Sequence, residues 1–130
     1  MDTRNKIISL REAEEVAVRE QNRGKRLVVD VGYYDPVIAE HARRLESLRG
    51  DECVLLAVVV DPPAPLLGTR ARAELVAALR AVDYVAMTES QSLAEFLALL
   101  KGTTINRSEQ TDLELRQRLI EHVHARHRTT

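Results

Sequence analysis

Short, almost wholly apolar runs alternate along the chain with segments whose apolar residues recur at helical spacing. Leu27–Val31 and Cys53–Val60 are continuous and rich in β-branched residues, as strands covered on both faces are. Asp83–Met87 predicts a third short strand and Thr103–Asn106 a weak fourth. Ser9-Leu-Arg-Glu12 reads as a capping box ahead of the stripe Ala13, Val16, Ala17, with Gly24 as the stop signal. Asp35-Pro36 predicts the start of a helix, Asp35 capping and Pro36 in the first turn, that runs to about Arg49 and stops at Gly50. Pro62, Pro63 and Pro65 stiffen the next loop, and Thr69 is placed to cap a helix over Arg70–Arg80. Ser92-Leu-Ala-Glu95 reads as a second capping box, opening a helix that ends near Gly102. Thr111-Asp-Leu-Glu114 reads as a third, before a final helix over Asp112–His127.

Strands that alternate with helices imply an α/β fold, a parallel sheet of four or so strands with helices on both faces. The chain divides into a leading helical segment (1–24), a sheet core (25–110) and a C-terminal helix (111–130), within one domain spanning 1–130. Leu27–Val31 is expected in the interior of the sheet, with Gly32–Asp35 at its carboxyl edge. Ligands of such sheets bind beyond that edge, so Gly32–His41 is the first segment to search for chemistry.

Composition narrows the picture. Hydrophobic residues make up 45% and charged residues 30%, a globular balance, and aromatics are only 3%, so aliphatic residues must build the core. A net charge of -1 supplies no bulk attraction to nucleic acid or to an anionic membrane, and neither is expected as a partner. The longest apolar run, Val54–Val60, is too short to span a bilayer, and Met1–Lys6 carries no apolar signal region. The one cysteine, Cys53, lies in an apolar strand and reads as inert packing. These features point to the cytoplasm. His122, His124 and His127 invite a metal reading, but only His124 and His127 share a helix face, and no metal site is expected there.

Two segments carry a family resemblance. Gly24-Lys-Arg-Leu-Val-Val-Asp-Val-Gly-Tyr-Tyr-Asp35, followed by His41-Ala-Arg-Arg-Leu45, resembles the cytidylyltransferase-like nucleotidyltransferases, and most of all their heptose-phosphate adenylyltransferase domain. Arg72-Ala-Glu-Leu-Val-Ala-Ala-Leu-Arg-Ala-Val-Asp-Tyr-Val85 is similar to the family segment that ends in Val-Asp-Tyr-Val, and Lys6-Ile-Ile-Ser-Leu-Arg-Glu-Ala resembles its leading helix. The resemblance covers roughly residues 6–100. It implies a three-layer α/β/α, Rossmann-like sheet of the nucleotidyltransferase (HUP-like) kind, here truncated at the C-terminus. It implies His41 as the catalytic residue, and Gly32, Tyr33, Tyr34, Asp35, Arg44 and Arg72 as nucleotide- or phosphate-binding residues. Gly32 would allow a positive φ or the close approach of a ligand, and Tyr33 and Tyr34 would stack on a base or pack. Asp35 would touch substrate or metal, or cap its helix.

The chain departs from the family at the motif that matters most. The His-x-Gly-His positions fall on Ile38, Ala39, Glu40 and His41, so one phosphate donor is replaced by a side chain without a hydrogen bond, and Glu40 adds bulk and negative charge. Loss of one such donor costs on the order of 10²–10³ in rate. The loop Pro62–Ala71 is short and lacks the family's lysine, although Arg70 partly substitutes. The late serine/threonine-rich turn has no convincing counterpart; Thr103-Thr104-Ile105 comes too early.

These features imply a degenerate nucleotidyltransferase-like domain that binds nucleotide or phosphate weakly and acts through association. A working enzyme is the second reading. It would move AMP or CMP from ATP or CTP onto a sugar or polyol phosphate with Mg²⁺, using His41 with Arg43, Arg44 or Arg72. A ligand-free, self-associating structural domain is the third. A homodimer is expected from Leu93, Phe96, Leu97, Leu100, Leu115, Leu119 and Val123, which exceed what one sheet face covers.

Overall fold

The computed structural model describes residues 2–128. Its strands are β1 (Arg26–Gly32), β2 (Cys53–Val59), β3 (Tyr84–Met87) and β4 (Thr104–Arg107). Its α-helices are α1 (Leu10–Asn22), α2 (Ala39–Leu48), α3 (Thr69–Ala77), α4 (Leu93–Leu99) and α5 (Glu109–Arg128). The sheet runs β3-β2-β1-β4, and every pairing is parallel. β1 therefore lies inside the sheet, with Val28 opposite Thr104 on one side and Leu55 on the other.

Side-chain alternation builds two cores. Leu27, Val29 and Val31 of β1 join Leu56 and Val58 of β2 under Ala13, Val16 and Ala17 of α1 and Phe96 of α4. Val28, Leu55, Ala57 and Val59 face the other way, under Leu45 of α2 and Ala73, Val76 and Ala77 of α3. This is the expected three-layer α/β architecture. β2 and β3 are laid down successively on one side of β1, and the chain then returns to place β4 on the other. Strand order reverses at the β1–β4 boundary, so a crevice opens at the carboxyl ends of these two strands.

Local signals hold unevenly. The first capping box forms, with the Glu12 amide donating to Ser9 Oγ at 3.1 Å and the Ser9 amide donating to Glu12 Oε1 at 3.1 Å. Gly24 ends α1 at φ +74°. The second box does not form: Ser92 has helical backbone angles and makes no side-chain cap, because a 3-10 turn over Ser90–Ser92 already precedes α4. The third lies within α5, which starts at Glu109 and not at Asp112. Asp35 does not cap α2, which starts at Ala39 behind Ile38. Its carboxylate is committed instead to the amides of Leu66 and Leu67, at 2.7 and 3.0 Å. Thr69 does not cap α3 either: Gly68 is the cap residue, and Thr69 Oγ1 donates to Asp61 at 2.7 Å.

Most of the apolar set expected at a dimer interface is covered within the protomer: Leu93, Phe96, Leu100 and Leu115 are buried, and α4 lays the first three on the α1 face of the sheet. Val123 remains exposed. Among the described residues no helix is long and apolar enough to cross a membrane.

Candidate functional site

β1 brings Asp30 to the reversal point. It shares the parity of Val28, so its side chain enters the α2 side of the sheet, where it is fully buried. Oδ1 accepts from Ser108 Oγ at 2.6 Å and Asn106 Nδ2 at 2.7 Å, which ties β1 to the end of β4. Oδ2 accepts from Arg44 Nη2 at 3.0 Å and from the Tyr34 hydroxyl.

A second buried carboxylate reaches the same place from α5. Asp112 Oδ2 accepts the backbone N–H groups of Tyr33 and Tyr34, at 2.8 and 3.2 Å. Tyr34 has φ +49°, a left-handed conformation that turns these successive amides toward one point as an anion nest. Asp112 Oδ1 meets Arg44 Nη1 at 2.6 Å and His41 Nε2 at 3.0 Å. On the imidazole's other side, Nδ1 accepts the Ile38 amide at 3.1 Å. An amide only donates, so Nδ1 is the lone-pair nitrogen and Nε2 carries the proton aimed at Asp112. Gly32 has no room for a side chain: a Cβ would lie 2.5 Å from Asp112 Oδ2. The group that approaches this glycine is the chain's own carboxylate.

The electrostatics follow from burial and pairing. Burial alone would raise the Asp112 pKa, but hydrogen bonds from His41 and Arg44 outweigh it and hold the carboxyl below its usual value. Burial would likewise lower Arg44, yet Asp112 and Asp30 keep its guanidinium charged and push its pKa up. The Tyr34 phenol is pushed well above its usual value by burial and then by neighbouring Asp30. Arg44 Nε is buried with no hydrogen-bond partner among the described residues.

The predicted residues thus separate into two groups. Gly32, the Tyr33 and Tyr34 amides, His41 and Arg44 converge on Asp112. The Tyr34 ring is fully buried, 5.4 Å from the His41 ring and 5.4 Å from the Arg44 guanidinium, so it packs and presents no face to a base. The Tyr33 ring packs against the α1 core. Asp35 and Arg72 form the other group, around the proline-rich loop. Asp35 receives Arg116 Nη1 at 3.3 Å besides the two loop amides. Arg72, with no exposed surface, donates to the carbonyls of Leu67, Tyr33 and Val60 at 3.0, 2.8 and 2.9 Å, and to Asp61. Arg43 pairs with Glu40 at 3.1 Å on the exposed side of α2, and Arg70 pairs with Glu74 at 3.4 Å along α3.

Asp30, Asn106, Ser108 and Asp112 were not among the expected site residues. The available signal for Asp30 was a charge inside an otherwise apolar strand. Asp112 was hidden by its place in an apparent capping box. A cleft of about 230 Å³ adjoins the cluster, lined by Ile38 and Glu40 of α2 and by Leu115, Arg118, Leu119 and His122 of α5. A larger hollow of about 610 Å³ lies among Arg11, Glu14, Glu15 and Val18 on the outer side of α1. It is remote from the carboxyl edge and gathers none of the residues described above.

No family model matches the chain. It is 35% identical over 91 residues to the bifunctional protein HldE of Pelobacter propionicus, covering 63% of this chain and 19% of that protein. It is 28% identical over 109 residues to the bifunctional protein HldE of Trichlorobacter lovleyi, covering 77% of this chain and 22% of that protein. The chain therefore spans about a fifth of the length of these curated relatives. Together with the parallel sheet, these similarities support the likeness read from the sequence, a cytidylyltransferase-like domain related to the heptose-phosphate adenylyltransferases.

Proposed function

We propose that this chain is a nucleotidyltransferase-like domain with impaired catalysis that acts through association, in a cytoplasmic setting that suits its free, buried Cys53. One observation carries the reading. His41 is the one histidine left at the motif positions, and both of its ring nitrogens are engaged inside the protein, by the Ile38 amide and by Asp112. A nucleotide phosphate would find a hydrocarbon side chain at Ile38 and a donor already in use at His41. Electrostatic stabilisation of a departing pyrophosphate needs free, aimed donors, and this edge offers few.

The donor set itself favours a second reading. Two backbone amides, an imidazole N–H and a guanidinium are the groups that hold a phosphate, so AMP or CMP transfer from ATP or CTP to a sugar phosphate remains the runner-up. Mg²⁺ does not fit as a protein-held ion. Asp30, Asp35, Asp61 and Asp112 each face a guanidinium, and among the described residues no three His, Cys, Asp or Glu side chains gather as ligands. Association would be with a second copy, through the edge of β4 and the Val123 side of α5, and sedimentation at micromolar concentration tests it. A monomer mass would remove association from the proposal.

The catalytic claim is tested by pyrophosphate release from ATP or CTP, with Mg²⁺ and a series of sugar and polyol phosphates. Release at background level is expected; turnover well above it overturns impaired catalysis. In the double variant Ile38→His with Glu40→Gly, stronger triphosphate binding is expected.

A further inference from the structure

We infer that Asp112 is a built-in substitute for a bound phosphate group, so that the first turn of α5 plugs an oxyanion cradle that opens only when this turn withdraws. The inference rests on the reading of this edge as a nucleotidyltransferase-like phosphate site. It adds what fills that site and what would empty it.

Four features of the geometry carry it. The groups that converge on the Asp112 oxygens are all donors, from two places: the backbone of the β1–α2 turn, and α2 through the His41 imidazole and the Arg44 guanidinium. A carboxylate that serves only to pair with Arg44 has no need of two successive backbone amides turned inward by a left-handed residue; that arrangement is an anion nest. Gly32 keeps the floor of the nest open, since any Cβ would strike the oxygen lodged there. The fourth feature is the carrier. Asp112 belongs to α5, which is tied near its start by Ser108 on Asp30 and by Arg116 on Asp35 and the carbonyls of Pro63 and Ala64. From Glu121 to His127 the helix is exposed. The plug thus sits on a helix and not on the sheet. Asp30, already sharing Arg44, also sets the ligand class: a second negative charge next to it favours a phosphate carrying a single charge, as inside a phosphodiester or as dihydrogen phosphate.

The test empties the cradle. Inorganic phosphate, with acetate as a carboxylate probe and chloride at equal ionic strength as control, is titrated into the wild type, Asp112→Ala and Asp112→Asn, followed by calorimetry and thermal unfolding. Phosphate is expected to bind Asp112→Ala at least tenfold more tightly than the wild type and to raise its unfolding midpoint with concentration, because a ligand of the folded state stabilises it by mass action. Equal binding by wild type and variant overturns the plug. A folded variant that ignores phosphate overturns the cradle, and rescue by acetate alone reduces it to a carboxylate socket and overturns the phosphate assignment. Should Asp112→Ala fail to fold in chloride, refolding in phosphate is expected to recover it. Failure to recover, with no phosphate binding by Asp112→Asn, overturns the inference. Nucleotidyl transfer by the wild type would defeat the proposal of impaired catalysis and leave this comparison of variants standing, so the two failures are distinguishable.

Discussion

β1 and β2 end side by side at the same edge of the sheet, and an arginine waits beyond each, Arg72 fully buried and Arg44 partly so. Arg72, beyond β2, spends its guanidinium chiefly on the backbone carbonyls of Leu67, Tyr33 and Val60. These oxygens belong to three backbone segments, the ends of β1 and β2 and the proline-rich loop, which the arginine ties together, so Arg72 is a strut. Arg44, beyond β1, faces two carboxylates, one on its own sheet and one from α5. A carboxylate carried by another element can be exchanged for another anion, so Arg44 lines a socket. Both arginines looked alike in the sequence as phosphate ligands. What distinguishes them is where the acceptors sit: Arg72 holds mainly backbone carbonyls, with the one carboxylate of Asp61 just beyond β2, whereas Arg44 faces two carboxylates, one of them carried by a separate element.

The sharpest way to break this comparison is Arg44→Leu. It leaves Asp30 and Asp112 buried without their cation, and removal of one partner from a buried ion pair costs about 3–5 kcal/mol. Urea unfolding should show the largest loss of any single substitution discussed here. A loss under about 1 kcal/mol, the scale of an exposed pair, would mean that the cluster is solvated and not a socket. Arg72→Met should cost less, roughly 2–4 kcal/mol, from carbonyls left without a donor and partly served by water. In an Asp112→Ala background, Arg72→Met should leave phosphate binding unchanged, whereas Arg44→Leu should abolish it.

pH sharpens the same contrast. The folded Asp112 pKa lies below its unfolded value, because the bonds from His41 and Arg44 outweigh burial. Its stabilisation is therefore present above the unfolded carboxyl range, near 4, and is lost as pH falls through the lower folded value. Tyr34 acts at the other end. Burial and Asp30 raise its folded pKa, so its contribution is complete below about 10 and fades as pH rises beyond. Urea midpoints measured across pH should fall on both limbs, and Asp112→Asn should flatten the acid limb while Tyr34→Phe flattens the alkaline one. An acid limb unchanged by Asp112→Asn would deny that this carboxylate is held ionised by its donors.

How much of this was legible depends on the range of the interaction that decides each feature. Strands β1 and β2 were readable almost residue by residue, because a strand buried on both faces must be apolar along its length. The reversal point followed from the alternation of elements and led to the segment Gly32–His41, and the family resemblance added Arg44. The partner of all three, Asp112, lies 71 residues beyond His41, and nothing local marks it. Asp35 shows the same limit from the other side. Asp-Pro is a sound local signal for a helix start, but two amides of the proline-rich loop and Arg116 bind the carboxylate instead. Local chemistry proposed a partner in each case, and a distant donor took it.

The smallest predicted effect calibrates that lesson, away from both arginines. Three Ser/Thr-x-x-Glu sequences occur, and the structure uses one of them as a capping box. At Ser9 both reciprocal bonds are made, at 3.1 Å each. At Ser92 neither the backbone conformation nor a side-chain bond of a cap is present, since the preceding 3-10 turn already commits the Ser92 amide to the Glu89 carbonyl and the Leu93 amide to the Ser90 carbonyl. Ser9→Ala should therefore cost about 1 kcal/mol, the usual loss for an N-cap hydroxyl. Ser92→Ala should change stability by no more than about 0.5 kcal/mol, as surface substitutions away from special features do. Ser9 caps α1 far from Asp112, so the Ser9→Ala loss should add to that of Asp112→Asn in the double variant, within about 0.5 kcal/mol. Equal losses at Ser9 and Ser92 would show that the three-residue spacing alone decides the cap. Unequal losses in the stated order would show that the residues before the serine decide it, by leaving its amide and hydroxyl free to turn back on the helix.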